Sequence, residues 1–355
     1  MKALICKRLV FISAIIALLS CQFEAFSQFA QMDIAKENNK FYEKRESIAP
    51  ASVQIKLKAL RDVIAENSLT FTVGYTSVSN RDIATITGER ELSKEENERY
   101  KSELKRKELS RPEKSKAYIK VGGITLSPNA RKLDLRKYDL VTPIKDQNPA
   151  GSCWAFGSMA AYESNYDVIN SLDINTSEQD VINCSGAGSA SRGGLAFEVF
   201  NWMVSRSRNV DDEANTPYQA IDAPCNRDLP ATNYFAIDWD FVDPGKDPGA
   251  IPTVKQIKEA LCKYGVISAS VYVSESFQYY TGGIFKEKER YSGTNHAIAI
   301  IGWDDDKNAW LLKNSWGVDW GESCGFGPEK GYMWIHYETN NIGRRAAWIE
   351  SKKVL

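Results

Sequence analysis

The stretch KDQNPAGSCWAF, residues 145–156, joins a turn to a helix and decides how the rest of the chain is interpreted. Asn148, Pro149 and Gly151 are turn residues. After them, CWAFGSMAAYESNYDVI repeats apolar side chains every three or four residues, which is typical of a helix with one buried stripe. The stripe consists of Ala155, Met159, Tyr162, Tyr166 and Ile169. Cys153 is therefore predicted to lie in the first turn of a helix.

Cys153 has the local sequence of a nucleophile. A cysteine attacks a carbonyl as the thiolate, which a helix N-terminus and a neighbouring imidazolium both favour. The chain has only two histidines. His296 lies where the polar turn GTN runs into the apolar run HAIAIIGW, so its ring is expected at a strand end. His336 alternates with Ile335 and Tyr337 in a strand, where a structural role is expected.

Three further side chains complete the chemistry. Asn314, in KNSWGVDWG, carries an amide that can orient the imidazole of His296, and Trp316 is placed to shield that hydrogen bond from water. The side-chain amide of Gln147 and the backbone N–H of Cys153 are the candidate donors to an oxyanion. Each residue alone has an ordinary structural explanation, such as a core thiol or a turn asparagine. The prediction depends on their joint occurrence.

The segments KDQNPAGSCWAF, SEQDVINC, NHAIAIIGW and KNSWGVDWG resemble the signature segments of papain-like cysteine peptidases. The resemblance covers roughly residues 130 to 355. It implies an α+β fold with two lobes, one helical and one an antiparallel β-barrel-like sheet, and an active-site cleft between them. It also implies hydrolysis of peptide bonds through a thioester acyl-enzyme, with no metal or organic cofactor.

The resemblance assigns a role to each matching position. The nucleophile, the general base and acid, the imidazole orienter and the oxyanion donor are implied to be, in that order, Cys153, His296, Asn314 and Gln147. Trp316 is implied to cover the imidazole. Gly193 and Gly194 match a glycine pair that hydrogen-bonds an extended substrate backbone. The family also implies a thiolate–imidazolium pair in the active enzyme.

Two other functions are compatible with the same scaffold and residues. A non-catalytic peptide-binding or adhesion protein on the same scaffold would keep the cleft and lose a catalytic residue, whereas all four are present here. Acyl transfer to an amine other than water would use the same cysteine and histidine. Residues 120 to 150 contain no resemblance to a terminus-blocking insertion, which favours an endopeptidase.

Five of the seven cysteines lie beyond residue 27, so in an exported protein at least one thiol stays free. The resemblance implies a disulfide between Cys184 and Cys225. It also implies that a second family disulfide is absent, because Ala150 and Ser191 stand at its two positions.

Cys262 and Cys324 match no family pair. A bridge between them is predicted only by arithmetic, because it would leave Cys153 as the single free thiol.

The N-terminus is typical of an exported protein. Three basic residues precede the apolar run LVFISAIIALL, which is too short to span a bilayer. This predicts a signal peptide at residues 1–27, cut after Ala25-Phe26-Ser27. Alternatively, Leu18-Leu19-Ser20-Cys21 resembles a lipoprotein box, with a lipid anchor at Cys21. Both alternatives predict an extracytoplasmic protein, secreted, periplasmic or membrane-anchored; a cytosolic protein with an apolar first helix is the third.

Residues 28–120 are predicted to form a pro-segment or spacer ahead of a peptidase domain at residues 121–355. LTFTVGY, residues 69–75, alternates like a strand. Ser93 and Glu96 form a capping box that starts a helix near residues 94–110. The resemblance to family propeptides is loose, so two interpretations remain open. The segment is either an autoinhibitor in cis or an arm that holds the domain away from a membrane anchor.

Composition restricts the partners. The formal net charge is −1, which gives no field that would gather nucleic acid or anionic lipid. Two histidines and cysteines without C-x-x-C spacing give no zinc site. We expect a monomer whose partner is a peptide or protein substrate.

Four runs rich in Val, Ile and aromatic residues predict antiparallel strands: VISASVYV, NHAIAIIGW, AWLLKNSW and GYMWIHY.

Overall fold

The computed structural model describes residues 36–110, 117–206, 208–226 and 232–354. The predicted signal peptide and the alternative lipid anchor at Cys21 lie outside these ranges. Within them, no helix is both long enough and apolar enough to cross a membrane.

Residues 36–110 form an N-terminal segment that precedes the rest of the chain. Its elements are α1 (36–46), α2 (Ala51–Glu66), β1 (Phe71–Val73), α3 (Ile83–Ile86) and α4 (Lys94–Ser110). The predicted strand and the predicted helix of this segment are confirmed. Ser93 and Glu96 form the capping box, since each side chain accepts a hydrogen bond from the other residue's N–H, at 3.1 and 2.8 Å.

Residues 117–354 form the C-terminal domain. Its helices are a 3₁₀ helix (Leu135–Tyr138), α5 (Cys153–Asn170), α6 (Glu178–Cys184), α7 (Ala196–Ser205), α8 (Val254–Tyr264) and α9 (Glu275–Gln278). Its strands are β2 (Lys120–Val121), β3 (Ile124–Thr125), β4 (Lys132–Asp134), β5 (Gly188–Ser189), β6 (Gly193–Gly194), β7 (Ala236–Phe241), β8 (Ile267–Val271), β9 (Tyr280–Phe285), β10 (His296–Asp304), β11 (Ala309–Lys313), β12 (Tyr332–His336) and β13 (Arg344–Ser351).

One nine-stranded sheet joins the two parts of the chain. Its order is β1-β9-β12-β11-β10-β8-β13-β7, with β4 paired to β10. The four predicted strands are β8, β10, β11 and β12, and the pairs they form with one another are antiparallel as expected. β12 and β9 pair in parallel, which the sequence did not indicate. The described strands run in an open order from β1 to β7, so the barrel-like sheet is not a closed barrel.

Helix α5 packs on β8, β10 and β13 and positions the site. It is buried on more faces than the predicted stripe, because Glu163 and Asn165 are buried as well. Glu163 tolerates burial because the Lys145 ammonium lies 3.0 Å from its carboxylate. Ile169, predicted as part of the stripe, is only partly buried near the helix end.

One of the two predicted disulfides is present. Cys184 and Cys225 are bridged, with their Cα atoms 4.8 Å apart. The predicted Cys262–Cys324 bridge is wrong, since both residues are free thiols. Cys262 is buried on α8, whereas Cys324 lies in the loop before β12, next to residues that contact Arg136. A count of thiols carries no information about the distance between them.

Hydrogen bonds connect the two loops at which the family disulfide is absent. The N–H of Gly151 donates to the carbonyl of Ala190 at 2.7 Å. The carboxylate of Asp222 accepts from Ser191 Oγ and from the N–H of Ala190, each at 2.5 Å. Ala150 is buried beside this contact, so the loop before Cys153 is fixed without a covalent link.

Candidate active site

Cys153 is the first residue of α5, and its side chain is fully buried. The turn before the helix contains Asn148 in the left-handed region, with φ of 53°. The N–H of Ala297 donates to Cys153 Sγ at 3.4 Å, which brings the start of α5 against the start of β10. N–H groups in the first turn of a helix have no partner inside the helix, so they favour negative charge at this thiol.

His296 and Asn314 lie together, as predicted. His296 Nε2 and Asn314 Oδ1 are 2.8 Å apart, so the amide oxygen accepts from the imidazole and fixes its tautomer. The ring of Trp316 lies 4.9 Å from the imidazole ring and is itself buried. His296 Nδ1 has no hydrogen-bond partner among the described residues, which leaves this nitrogen available to the thiol.

Gln147 is held in place by three neighbours. Its side-chain nitrogen donates to the carbonyls of Ala150, at 2.7 Å, and of Ile86, at 3.1 Å. Its side-chain oxygen accepts from Ser315 Oγ at 2.7 Å. Sequence reasoning missed Ser315, although a hydroxyl directly after Asn314 was the available signal. The amide is thus preoriented with its N–H groups aimed at the carbonyl that occupies the site.

The N-terminal segment passes through the cleft at the predicted glycine pair. Gly194 N–H donates to the Gly88 carbonyl at 2.8 Å, and Arg90 N–H donates to the Gly194 carbonyl at 3.2 Å. This is a parallel bridge between Glu89 and Gly194. A Cβ on Gly193 would lie 2.2 Å from the Gly88 carbonyl oxygen, so only glycine permits this approach.

The same segment covers the other predicted residues. The indole N–H of Trp316 donates to the Ile86 carbonyl at 3.0 Å, the acceptor that Gln147 also uses. A Cβ on Gly88 would lie 2.1 Å from the carbonyl oxygen of Gly151, directly before the nucleophile's turn. The backbone from Ile86 to Arg90 therefore lies where an extended peptide would meet the predicted site.

Burial controls the ionisation of the two central groups. It raises the pKa of the Cys153 thiol to about 12, against the opposing effect of the Ala297 N–H. It lowers the pKa of His296 to about 4, although the hydrogen bond to Asn314 favours the imidazolium. In this covered state, both groups are neutral at physiological pH.

The other histidine stands apart from this cluster. His336 lies on β12, its Nε2 is 3.2 Å from the Lys286 ammonium, and partial burial lowers its pKa. Among the described residues, no group of three or more His, Cys, Asp or Glu side chains is arranged to hold a metal ion.

Sequence reasoning also missed a charged contact beside the cleft. Arg345 Nη1 lies 3.1 Å from a carboxylate oxygen of Glu89, and both side chains are buried. The only available signal was the pair Arg344-Arg345 directly before the apolar run AAWI.

The comparisons with known proteins agree with this geometry. Residues 129–351 match the family model described as papain family cysteine protease. The chain is 31% identical to fruit bromelain of Ananas comosus over 204 residues, which are 56% of this chain and 54% of that protein. It is 32% identical to cathepsin L of Sarcophaga peregrina over 219 residues, 59% of this chain and 60% of that protein. The chain thus spans little more than half the length of these relatives.

A solved structure, digestive procathepsin L 3 of Tenebrio molitor larval midgut, superimposes with a TM-score of 0.64. The match covers 89% of this chain and 99% of the other, at 17% identity, and therefore concerns the fold alone. Because the family model spans most of the chain and its signature residues meet in one cleft, this chain belongs to the papain family of cysteine proteases.

Proposed function

We propose that this protein is a cysteine peptidase made as an exported, self-inhibited precursor. The observation that carries the proposal is the meeting of Cys153, His296, Asn314 and Gln147 in one cleft that also holds an extended stretch of backbone. The peptide-binding character of the cleft comes from Gly194, which pairs with that backbone through both its N–H and its C=O.

The chemistry follows from the positions of the donors. His296 Nδ1 takes the proton of Cys153, and Sγ attacks the scissile carbonyl carbon. Gln147 Nε2 and the N–H of Cys153 bind the resulting oxyanion. The imidazolium then protonates the leaving amine, which leaves a thioester. Water, deprotonated by His296, hydrolyses the thioester and regenerates the thiol.

The N-terminal segment supplies the inhibition. Its Ile86 carbonyl uses the Gln147 donor, and its Gly88–Arg90 backbone uses Gly194. It also covers the site, because the Gly88 N–H contacts the Cys153 thiol and also donates to the Asn295 carbonyl directly before His296. In this covered state burial raises the pKa of Cys153 and lowers that of His296, which disfavours a thiolate–imidazolium pair. Together these contacts favour an autoinhibitory pro-segment over a spacer arm. The segment corresponds to residues 28–120 and the enzyme to residues 121–355.

Export rests on the sequence alone. A signal peptide at residues 1–27 would deliver a soluble precursor, whereas lipidation at Cys21 would anchor it to a membrane. Mass spectrometry of the N-terminus of an exported Cys153→Ala precursor, which cannot cleave itself, distinguishes the two: a free Gln28 indicates secretion, and a diacylglyceryl adduct at Cys21 indicates the anchor.

The activity is tested by comparing the wild-type precursor with the Cys153→Ala variant at mildly acidic pH. We expect the wild type to lose its N-terminal segment, to hydrolyse library peptides and to react with an epoxysuccinyl inhibitor, and the variant to do none of these. A wild-type protein that binds peptides without cleaving them would support the non-catalytic alternative. Products in which an added amine replaces water would support acyl transfer.

A further inference from the structure

The side chain of Glu89 lies in a small polar pocket of the C-terminal domain. Ser270, Thr294 and Arg345 form this pocket, which we call the Arg345 pocket. Ser270 Oγ donates to the Glu89 carboxylate, and Arg345 Nη1 lies 3.1 Å from its other oxygen. The exposed fraction of the side chain is 2% for both Glu89 and Arg345. A glutamate therefore fills this pocket almost without contact with water.

The Arg345 pocket opens beside the reacting atoms. Ser270 on β8 pairs directly with Ala297 on β10, and the N–H of Ala297 lies 3.4 Å from Cys153 Sγ. Glu89 enters the pocket from the backbone position that bridges Gly194. A side chain in this pocket thus belongs to a residue bound close to the thiol, along the glycine pair.

The backbone conformation at Arg345 directs its guanidinium into the pocket. Arg345 has φ of 55°, which is unfavourable for a residue with a Cβ, and the pairing of β13 with β8 shifts register between Arg344 and Ala347. A bulge of this kind redirects one side chain out of the regular alternation. Thr294 Oγ1 then accepts from Arg345 Nη1 at 2.7 Å and fixes the guanidinium.

Both carboxylates that Arg345 contacts come from the N-terminal segment. They are Glu89, at 3.1 Å, and Glu91, whose oxygen lies 2.6 Å from Arg345 Nη2. Within the ranges that the structure describes, Arg345 makes no ion pair with a carboxylate of its own domain. Removal of the segment therefore leaves the guanidinium in the pocket without a counter-charge, and a positive charge held in a pocket favours a ligand that neutralises it.

We propose that the Arg345 pocket makes the processed enzyme selective for substrates with an acidic side chain, glutamate above aspartate, at the residue that pairs with Gly194. The proposal rests on the peptidase function proposed above. Glutamate is preferred because Glu89 has the length that reaches both Ser270 and Arg345, and aspartate is one methylene shorter. Glu91 is half-exposed, so its contact with Arg344 at the rim of the pocket discriminates less between acidic and neutral side chains.

The test uses processed wild-type enzyme whose active sites have been titrated with an epoxysuccinyl inhibitor. Fluorogenic peptides are varied in turn at each of the four residues before the scissile amide. At one position, we expect kcat/KM for glutamate to exceed that for glutamine by at least about tenfold, because glutamine has the same shape without the charge. Equal values for glutamate and glutamine at every position would overturn the proposal.

The matched variant is Arg345→Met, made together with Glu89→Gln so that no unpaired carboxylate is buried in the precursor. We expect its glutamate-to-glutamine ratio to fall to within about twofold, while Arg344→Gln keeps the wild-type preference. An undiminished ratio in titrated Arg345→Met enzyme would also overturn the proposal. If the double variant fails to fold, the wild-type ratio decides alone.

The outcome separates the two proposals. Wild-type enzyme that reacts with the inhibitor and cleaves peptides without preference for glutamate overturns the pocket assignment and leaves the peptidase function intact. Protein that neither reacts with the inhibitor nor cleaves any library peptide overturns both.

Discussion

Two buried clusters of opposite charges differ in which part of the chain supplies the anions. In the first, the Lys145 ammonium lies 3.0 Å from Glu163 and 2.8 Å from Glu178, and all three residues belong to the C-terminal domain. Burial raises the pKa of Glu178 to about 7 despite Lys145, whereas Lys145 and other donors overcome burial and lower the pKa of Glu163. This cluster stays complete whether or not the N-terminal segment is present.

In the second cluster, the cations and the anions come from different parts of the chain. Arg344 and Arg345 belong to the C-terminal domain, and Glu89 and Glu91 to the N-terminal segment. Burial raises the pKa of Glu89 in spite of Arg345. Glu91 is less buried, and the N–H of Thr294 and the two guanidinium groups lower its pKa.

The comparison indicates that a buried ion pair can have two different effects, depending on whether its partners belong to one domain or to two parts of the chain. A buried ion pair within a single domain supports the fold, because removal of either partner strands the other charge. The same pair divided between a domain and a removable segment supports closure of the cleft. On the proposal above, departure of the segment would expose a site that selects for the missing negative charge.

The largest expected effect is on the first cluster. The Lys145→Met substitution would remove the one cation that forms an ion pair with both Glu163 and Glu178, and leave Lys313 as the remaining buried cation near them. We expect a loss of about 3–5 kcal/mol in the free energy of unfolding, in precursor and processed enzyme alike. Urea unfolding measures it. The control is Lys255→Met, at an exposed ion pair on α8, which should leave the midpoint unchanged. A loss confined to the precursor would contradict the assignment of this cluster to the fold.

The next effect concerns pH, because a titratable group lies under the closed segment. The pKa of His296 is about 4 in the closed state, below the 6.5 of an imidazole in water, because the ring is buried. Opening of the segment admits water beside the ring and raises this pKa, so the closed state binds fewer protons than the open state. Closure is therefore weakened as the pH falls towards 4.

Hydrogen exchange of the Gly88–Arg90 amides, measured in a Cys153→Ala precursor that cannot cleave itself, tests this dependence. After correction for intrinsic exchange, we expect protection to fall between pH 7 and pH 5. His296→Gln in the same background should flatten that fall, and His336→Gln should keep it. An equal fall in all three proteins would assign the pH dependence to other groups.

A smaller effect is expected from Glu89→Gln, which removes the charge on the segment side of the second cluster. The precursor should open more often, so the rate at which an epoxysuccinyl inhibitor labels Cys153 should rise about tenfold. Glu95→Gln, at an exposed position on α4, is the matched control. The stability of the processed enzyme should not change, because residue 89 is no longer attached to it. Equal labelling of Glu89→Gln and wild-type precursors would show that the ion pair does not hold the cleft closed.

The smallest effect is expected from Ser315→Ala, which removes the hydrogen bond to the Gln147 side-chain oxygen at 2.7 Å. Gln147 keeps its bond to the Ala150 carbonyl, so we expect kcat to fall about three- to tenfold with little change in KM. Ser315→Thr should restore most of the rate. A change in KM alone would argue that Ser315 affects binding rather than the oxyanion donor.

Sequence and structure agree best where chemistry requires a particular residue type at the end of an element. A thiol at the start of α5 and an imidazole at the start of β10 are recognisable because turn residues and apolar runs bracket them. The capping box of α4 is predictable for the same reason, since both partners lie within three residues.

The contacts that depend on distant pairing could not be predicted in this way. Glu91 and Arg345 are separated by 254 residues, and the bulge that turns Arg345 inward leaves no sequence pattern. The Cys262–Cys324 prediction failed because it used only the number of thiols. Glu163 lies on a buried face of α5, which hydrophobic periodicity does not mark because the residue is charged. It can be buried there because the Lys145 ammonium neutralises it.

The most direct test of the central claim compares the rate at which an epoxysuccinyl inhibitor labels Cys153 in the intact precursor and in the chain without its N-terminal segment. If residues 86–90 close a functional cysteine peptidase site, the processed chain should be labelled once, at Cys153, and the precursor should resist labelling under the same conditions. Equal rates in the two forms, or labelling that persists in Cys153→Ala, would contradict the account.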